Sequence, residues 1–105
     1  MVSFIKLGEL ATAQGNLPEA QRLYGESLCI AQRLAESDPG NAEWQRDLWA
    51  SYWRVANVME PQQAPDAMAY WRRAHETLAR MVETGLFVSP QDRQFLDRLQ
   101  QKIEG

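Results

Sequence analysis

The side chains with the widest chemical reach in this sequence are few: one histidine, His75, one cysteine, Cys29, and some closely spaced carboxylates. A general base needs a group that orients it and a cleft that holds substrate. Glu76 follows His75 directly, but adjacent helical residues do not face one another, and Arg72 and Ala79 are nearer neighbours on a helix. His75 therefore reads as a packed or half-exposed structural histidine. Cys29 lies between Leu28 and Ile30, with Gly25, Glu26, Gln32 and Arg33 at helical spacing. Arg33 favours the thiolate, Glu26 opposes it, and no base is at hand, so the thiol reads as inert. Glu43/Asp47 and Asp92/Asp97 are expected on exposed helical faces, with no companion group for a metal or an acid–base pair. Glycine-rich phosphate loops, histidine metal motifs and serine nucleophile elbows are missing. These residues predict no enzyme, no cofactor and no metal site.

Charge and composition narrow the classes further. Eleven Lys and Arg against 14 Asp and Glu give a net charge of −3, without the concentrated basic face that a nucleic-acid binder needs. No apolar run approaches the roughly 20 residues of a membrane span, and Met1-Val-Ser-Phe-Ile lacks the layout of a signal peptide. A single cysteine rules out an internal disulfide framework. With 105 residues, 45% apolar and 24% charged, the chain is expected to fold as one soluble cytoplasmic domain around one core.

The elements that position these residues are marked by their breaks. Asn16 is placed to cap a helix with Pro18 in its first turn. Asp38-Pro39-Gly40-Asn41 is a breaker cluster whose Asn41 caps the next segment. Pro61 and Pro65 bracket a turn over 60–64. Gly85 stops a helix, and Ser89-Pro90-Gln91-Asp92 offers a cap, a first-turn proline and a capping-box acid. Between the breaks, apolar residues recur with the 3.6-residue period. The stripes are Ala20, Leu23, Tyr24, Leu28, Ala31 and Ala35; Trp44, Leu48, Tyr52, Val55, Ala56 and Met59; Ala67, Tyr70, Trp71, Ala74, Leu78, Met81 and Val82; and Phe95, Leu96, Leu99 and Ile103. Strand-like alternation is absent. The pattern predicts an all-α fold of about five helices.

The chain also repeats itself. Phe4, Leu7, Gly8, Leu10 and Ala11 match Tyr52, Val55, Ala56, Val58 and Met59 at an offset of 48. Ala20, Tyr24, Ser27, Leu28 and Ala31 match Ala67, Trp71, Ala74, His75 and Leu78 at an offset of 47, with His75 against Leu28 the weakest pair. Each unit is a helical hairpin in which small residues admit a close approach and large ones fill the remaining gaps. The order of Phe4, Leu7-Gly8, Ala20, Tyr24 and Ser27, with the turn Gly15-Asn16-Leu17-Pro18-Glu19, resembles the tetratricopeptide repeat family over about residues 1–84. The spacing is longer than that family's period of about 34, and the extra residues are assigned to the second helix and the 37–48 connection. The resemblance implies tandem antiparallel hairpins in an α-solenoid. Its first unit would cover about 1–37 and its second about 41–84, with a polar capping helix over about 90–104. Met1 falls in phase with Trp49, so a first helix of full length would begin eight residues upstream. The chain is accordingly expected to be the C-terminal piece of a longer array.

In the family it resembles, one side of each first helix lines a groove that grips peptides. The positions here are Arg46, Trp49, Trp53 and Asn57 on the second unit, and Val2, Ile5, Glu9 and Thr12 on the first. Trp49 and Trp53 fall outside the core stripe, where exposed indoles need a cover: a ligand segment, a second chain, or neighbouring helices. The expectation is a non-catalytic protein–protein interaction scaffold, its partner segment held by Ile5, Glu9, Arg46, Trp49, Trp53 and Asn57. The alternative is a structural module that forms a homodimer, or packs against upstream repeats, through an apolar edge of Phe4, Ile5 and Leu7.

Overall fold

The helix ends fall where side chains can satisfy or terminate the backbone. The computed structural model describes residues 4–63 and 65–104; five α-helices follow one another as α1 (Phe4–Ala13), α2 (Leu17–Ser37), α3 (Ala42–Met59), α4 (Ala67–Glu83) and α5 (Pro90–Glu104). No strand occurs among the described residues. Asn16 Oδ1 accepts the Glu19 N–H at 3.3 Å, Asn41 Oδ1 accepts the Trp44 N–H at 3.0 Å, and Ser89 Oγ accepts the Asp92 N–H at 3.1 Å. Each supplies an acceptor to an N–H with no intrahelical partner. Gly15 and Gly85 adopt φ of +75° and +79°. The following N–H groups of Asn16 and Leu86 then reach back to the Ala11 and Met81 carbonyls at 2.8 and 2.9 Å, closing α1 and α4 with a left-handed cap that suits glycine. A short 3-10 turn, Glu60–Gln62, leads out of α3.

The extra length of each hairpin lies in the helices. The connection after α2 is only residues 38–41, and residues 42–48, expected to be partly linker, wind into the start of α3. Their side chains explain why: Asn41 caps the segment, and Gln45 is buried with its amide donating to the Ala35 carbonyl at 3.3 Å.

Packing follows chain order. The extensive contacts run from α1 to α2, α2 to α3, α3 to α4 and α4 to α5. The principal extents are 38 × 36 × 22 Å; the short one is about two helix diameters. Matched positions of the two hairpins share the core: Gly8 and Ala56, Ala20 and Ala67, and Tyr24 and Trp71 are all buried. A Cβ on Gly8 would stand 2.7 Å from the Tyr24 ring, so the small residue is what lets α1 lie against α2. Other matches diverge. Leu7 and Leu10 are exposed, whereas Val55 and Val58 are buried, because α3 packs extensively on both sides and, among the described residues, α1 packs extensively on α2 alone. The expected apolar edge holds only at Leu7: Phe4 and Ile5 are half-buried against the core, while Leu7 is exposed together with Leu10, Ile30 and Leu34.

Candidate interaction face

The centre of the candidate face is α3, and the order of burial along it departs from the sequence expectation. Trp49 is only 2% exposed, while Trp44 and Leu48 of the expected core stripe are half-buried. A single apolar stripe describes a helix with one neighbour; α3 packs against α2 and α4, and α5 reaches its remaining flank through side chains. The cover over the indoles is α5. Phe95 sets its ring 5.3 Å from Trp49 and 5.8 Å from Trp53, tilted by 50° and 74°, within the edge-to-face range that aromatic quadrupoles favour. The Trp49 Nε1–H, fully enclosed, has no acceptor among the described residues.

Arg46 joins the same cover. Its Nε donates to Asp92 Oδ2 at 2.7 Å, and Asp92 is buried. The expectation of a solvated Asp92 on an exposed face is thus corrected. The first turn of α5 presses it inward, where the guanidinium supplies the charged partner that burial demands. Arg46, expected to help hold a partner segment, thus has its charge met within the chain. At the other end of α5, Lys102 Nζ pairs with Glu60 Oε2 at 3.0 Å and lies 5.2 Å from the Trp71 ring centroid. Arg98 lies 5.4 Å above the Phe95 ring.

Two hollows flank Trp53 and Asn57. The smaller, about 230 Å³, is lined by Glu9 and Thr12 of α1, Tyr24 of α2, and Trp53, Arg54, Asn57 and Val58 of α3. The larger, about 550 Å³, lies between α3, α4 and α5, with Trp53, Trp71, Phe95 and Met68 among its apolar walls and Asn57, Arg98, Gln101 and Lys102 among its polar ones. Of the anticipated residues, Glu9, Trp53 and Asn57 therefore converge. Arg46 is engaged by Asp92, Trp49 is core, and Ile5 lines neither hollow. Val2 lies outside the described residues.

The histidine and the cysteine lie away from this face. His75 is half-buried on α4 and lines neither hollow, and Cys29 is a free, exposed thiol on α2. Burial lifts the Asp47 carboxyl above the usual carboxylate range, and the nearby negative charge of Glu43 adds to it. Among the described residues, no cluster of His, Cys, Asp or Glu could hold a metal ion, and no helix is long and apolar enough to cross a membrane.

The α5 half of the face, namely Asp92, Phe95, Arg98 and Lys102, was missed in the sequence, where this helix was read as a polar terminal cap. A signal for it existed. Pro90 opens α5 at 48 positions after Ala42 opens α3, which is the offset that relates α3 to α1. Compared with known proteins, the chain matches no family model, no curated protein and no solved structure.

Proposed function

We propose that the chain is a non-catalytic protein–protein interaction module of tetratricopeptide-like construction, taking a partner segment across the face shared by α1, α3 and α5. The observation that carries this reading is the position of Trp53 and Asn57, which form the ridge between two adjoining hollows. Tryptophan is among the residue types in which binding energy concentrates at recognition sites, and the exposed Asn57 amide beside it can hydrogen-bond a peptide backbone. The repeated hairpin and the lack of a catalytic set in the sequence support the same reading. The weak net acidity favours protein over nucleic acid as partner, and the single unpaired cysteine suits a cytoplasmic setting.

A displayed library of random peptides, selected on the full chain, tests this. Selected peptides are expected to perturb the Trp53 indole and Asn57 amide resonances, and Trp53→Ala is expected to weaken them at least about tenfold, or about 1.4 kcal/mol, with the helical circular dichroism retained. Peptides that bind without touching these resonances would overturn the assignment of the face, and a library that yields no ligand would overturn the function.

A second reading has its own observation. Leu7 and Leu10 lie a turn apart on α1, Ile30 and Leu34 a turn apart on α2, and all four are exposed. Apolar pairs of this kind favour self-association through the α1 and α2 surface.

A further inference from the structure

We propose that the hollow between α3, α4 and α5 takes a large apolar side chain of the partner segment, and that Arg98 receives a carboxylate next to that side chain. This inference rests on the interaction reading and names the chemistry of the partner.

The walls set the first half of the requirement. Half-buried Trp53 and Phe95 present ring surface, buried Trp71 closes the wall behind them, and Met68 adds a flexible apolar edge. A volume of about 550 Å³ is in the range of ligand pockets that take most of their contact area from apolar and aromatic groups. Polar groups sit at the rim, with Asn57 on α3 and Gln101 on α5 offering amide donors and acceptors to a peptide backbone.

The second half follows from charge. The rim carries two cations, Arg98 and Lys102, and one carboxylate, Glu60. Lys102 is paired with Glu60 at 3.0 Å, so its charge is locally met. Arg98 is exposed and has no carboxylate partner among the described residues; its guanidinium carbon lies 5.4 Å from the centre of the Phe95 ring. Contact with the ring steadies the planar guanidinium while leaving N–H donors free for a carboxylate, which can accept two of them side by side. A chain of net charge −3 thus presents a locally positive rim beside its aromatic hollow. A neutral apolar segment would fill the walls and leave Arg98 unanswered, whereas an acidic residue next to the apolar one answers both.

The contrast with Arg46 sharpens the assignment. Both arginines lie where α3 and α5 come together. Arg46 already holds Asp92, so the open anion position is the one at Arg98.

The test is a resonance titration of the full chain with three capped dipeptides: acetyl-Phe-Glu-amide, acetyl-Phe-Gln-amide and acetyl-Gly-Glu-amide. The first is expected to shift the Trp53 indole and Asn57 amide signals and to bind at least about tenfold more tightly than the other two. Arg98→Gln is expected to bring the Phe-Glu and Phe-Gln probes within about twofold of each other. Arg98→Lys, which keeps the charge and loses the fork, is expected to fall between, and both variants should keep the native spectrum elsewhere because Arg98 is exposed. Equal binding of the acidic and neutral probes, an undiminished preference in Arg98→Gln, or no shift with any probe would each overturn the proposal. Library peptides that engage Trp53 without an acidic residue would also overturn it while leaving the interaction reading in place; failure of the library at this face removes both.

Discussion

Gly8 is the residue at which the hairpin is most sensitive to a single added carbon. The Cβ of an alanine there would meet Tyr24 Cε1 at 2.7 Å, and Tyr24 is itself buried, so either the ring or the helix must give way. Gly8→Ala is expected to cost about 1–3 kcal/mol by overpacking, despite alanine's better helix propensity; urea unfolding checks it, and a gain in stability would show that the approach at this point is loose. This contact was legible in the sequence, since a small residue on one helix faced an aromatic on the next in both units. The placement of Trp49 was not. A helical stripe encodes which residues turn inward from one neighbour, and it carries no record of a helix that arrives later in the chain to cover the opposite flank. Asp92 was hidden for the same reason: its partner Arg46 is far away in sequence, and the acid looked solvated until the two were brought together.

At the level of elements, α5 does more than the polar capping role expected of it. It supplies the cover over Trp49 and half of the candidate face. Its attachment combines ring contacts at Phe95 with ion pairs at either end, Arg46–Asp92 and Lys102–Glu60. The two pairs are not equivalent. Lys102 and Glu60 are both well solvated, where such pairs contribute about 0–1 kcal/mol, while the Asp92 carboxylate is buried. Asp92→Ala is therefore expected to destabilise by about 1–3 kcal/mol. A double-mutant cycle with Arg46→Ala should return a coupling of at least about 0.5 kcal/mol in denaturant unfolding. A coupling near zero would mean that α5 is held by apolar contact alone. The breaks between helices were readable because caps are local, set by residues within one turn of each end. The long α3 was harder: its first two turns gain their hold from Gln45 and the Ala35 carbonyl, a pairing across two helices that no local rule reports.

For the molecule as a whole, the two ends of the helical series differ in character. The α5 end turns many polar side chains outward, whereas α1 and α2 leave Leu7, Leu10, Ile30 and Leu34 exposed. If a second copy covers that surface with its own exposed leucines and isoleucine, association pairs like with like and closes as a dimer. Sedimentation equilibrium at micromolar concentration is expected to show a monomer–dimer equilibrium that Leu10→Glu shifts at least about tenfold toward monomer. A concentration-independent monomer would remove the self-association reading. The all-α class was fully legible from periodicity, and the matched hairpin positions were largely so; of the expected edge only Leu7 is exposed, and Leu10 was left out because the repeat alignment could not tell it from its buried counterpart Val58. One detail of the strap between α4 and α5 has a practical outcome. Phe87 is 76% exposed there, which offers chymotrypsin an aromatic cleavage point in an unpaired stretch of backbone. Once severed, the final helix would remain only by adhesion to its seat, and a peptide that short holds little helix by itself in water, so release and unwinding would come as one event.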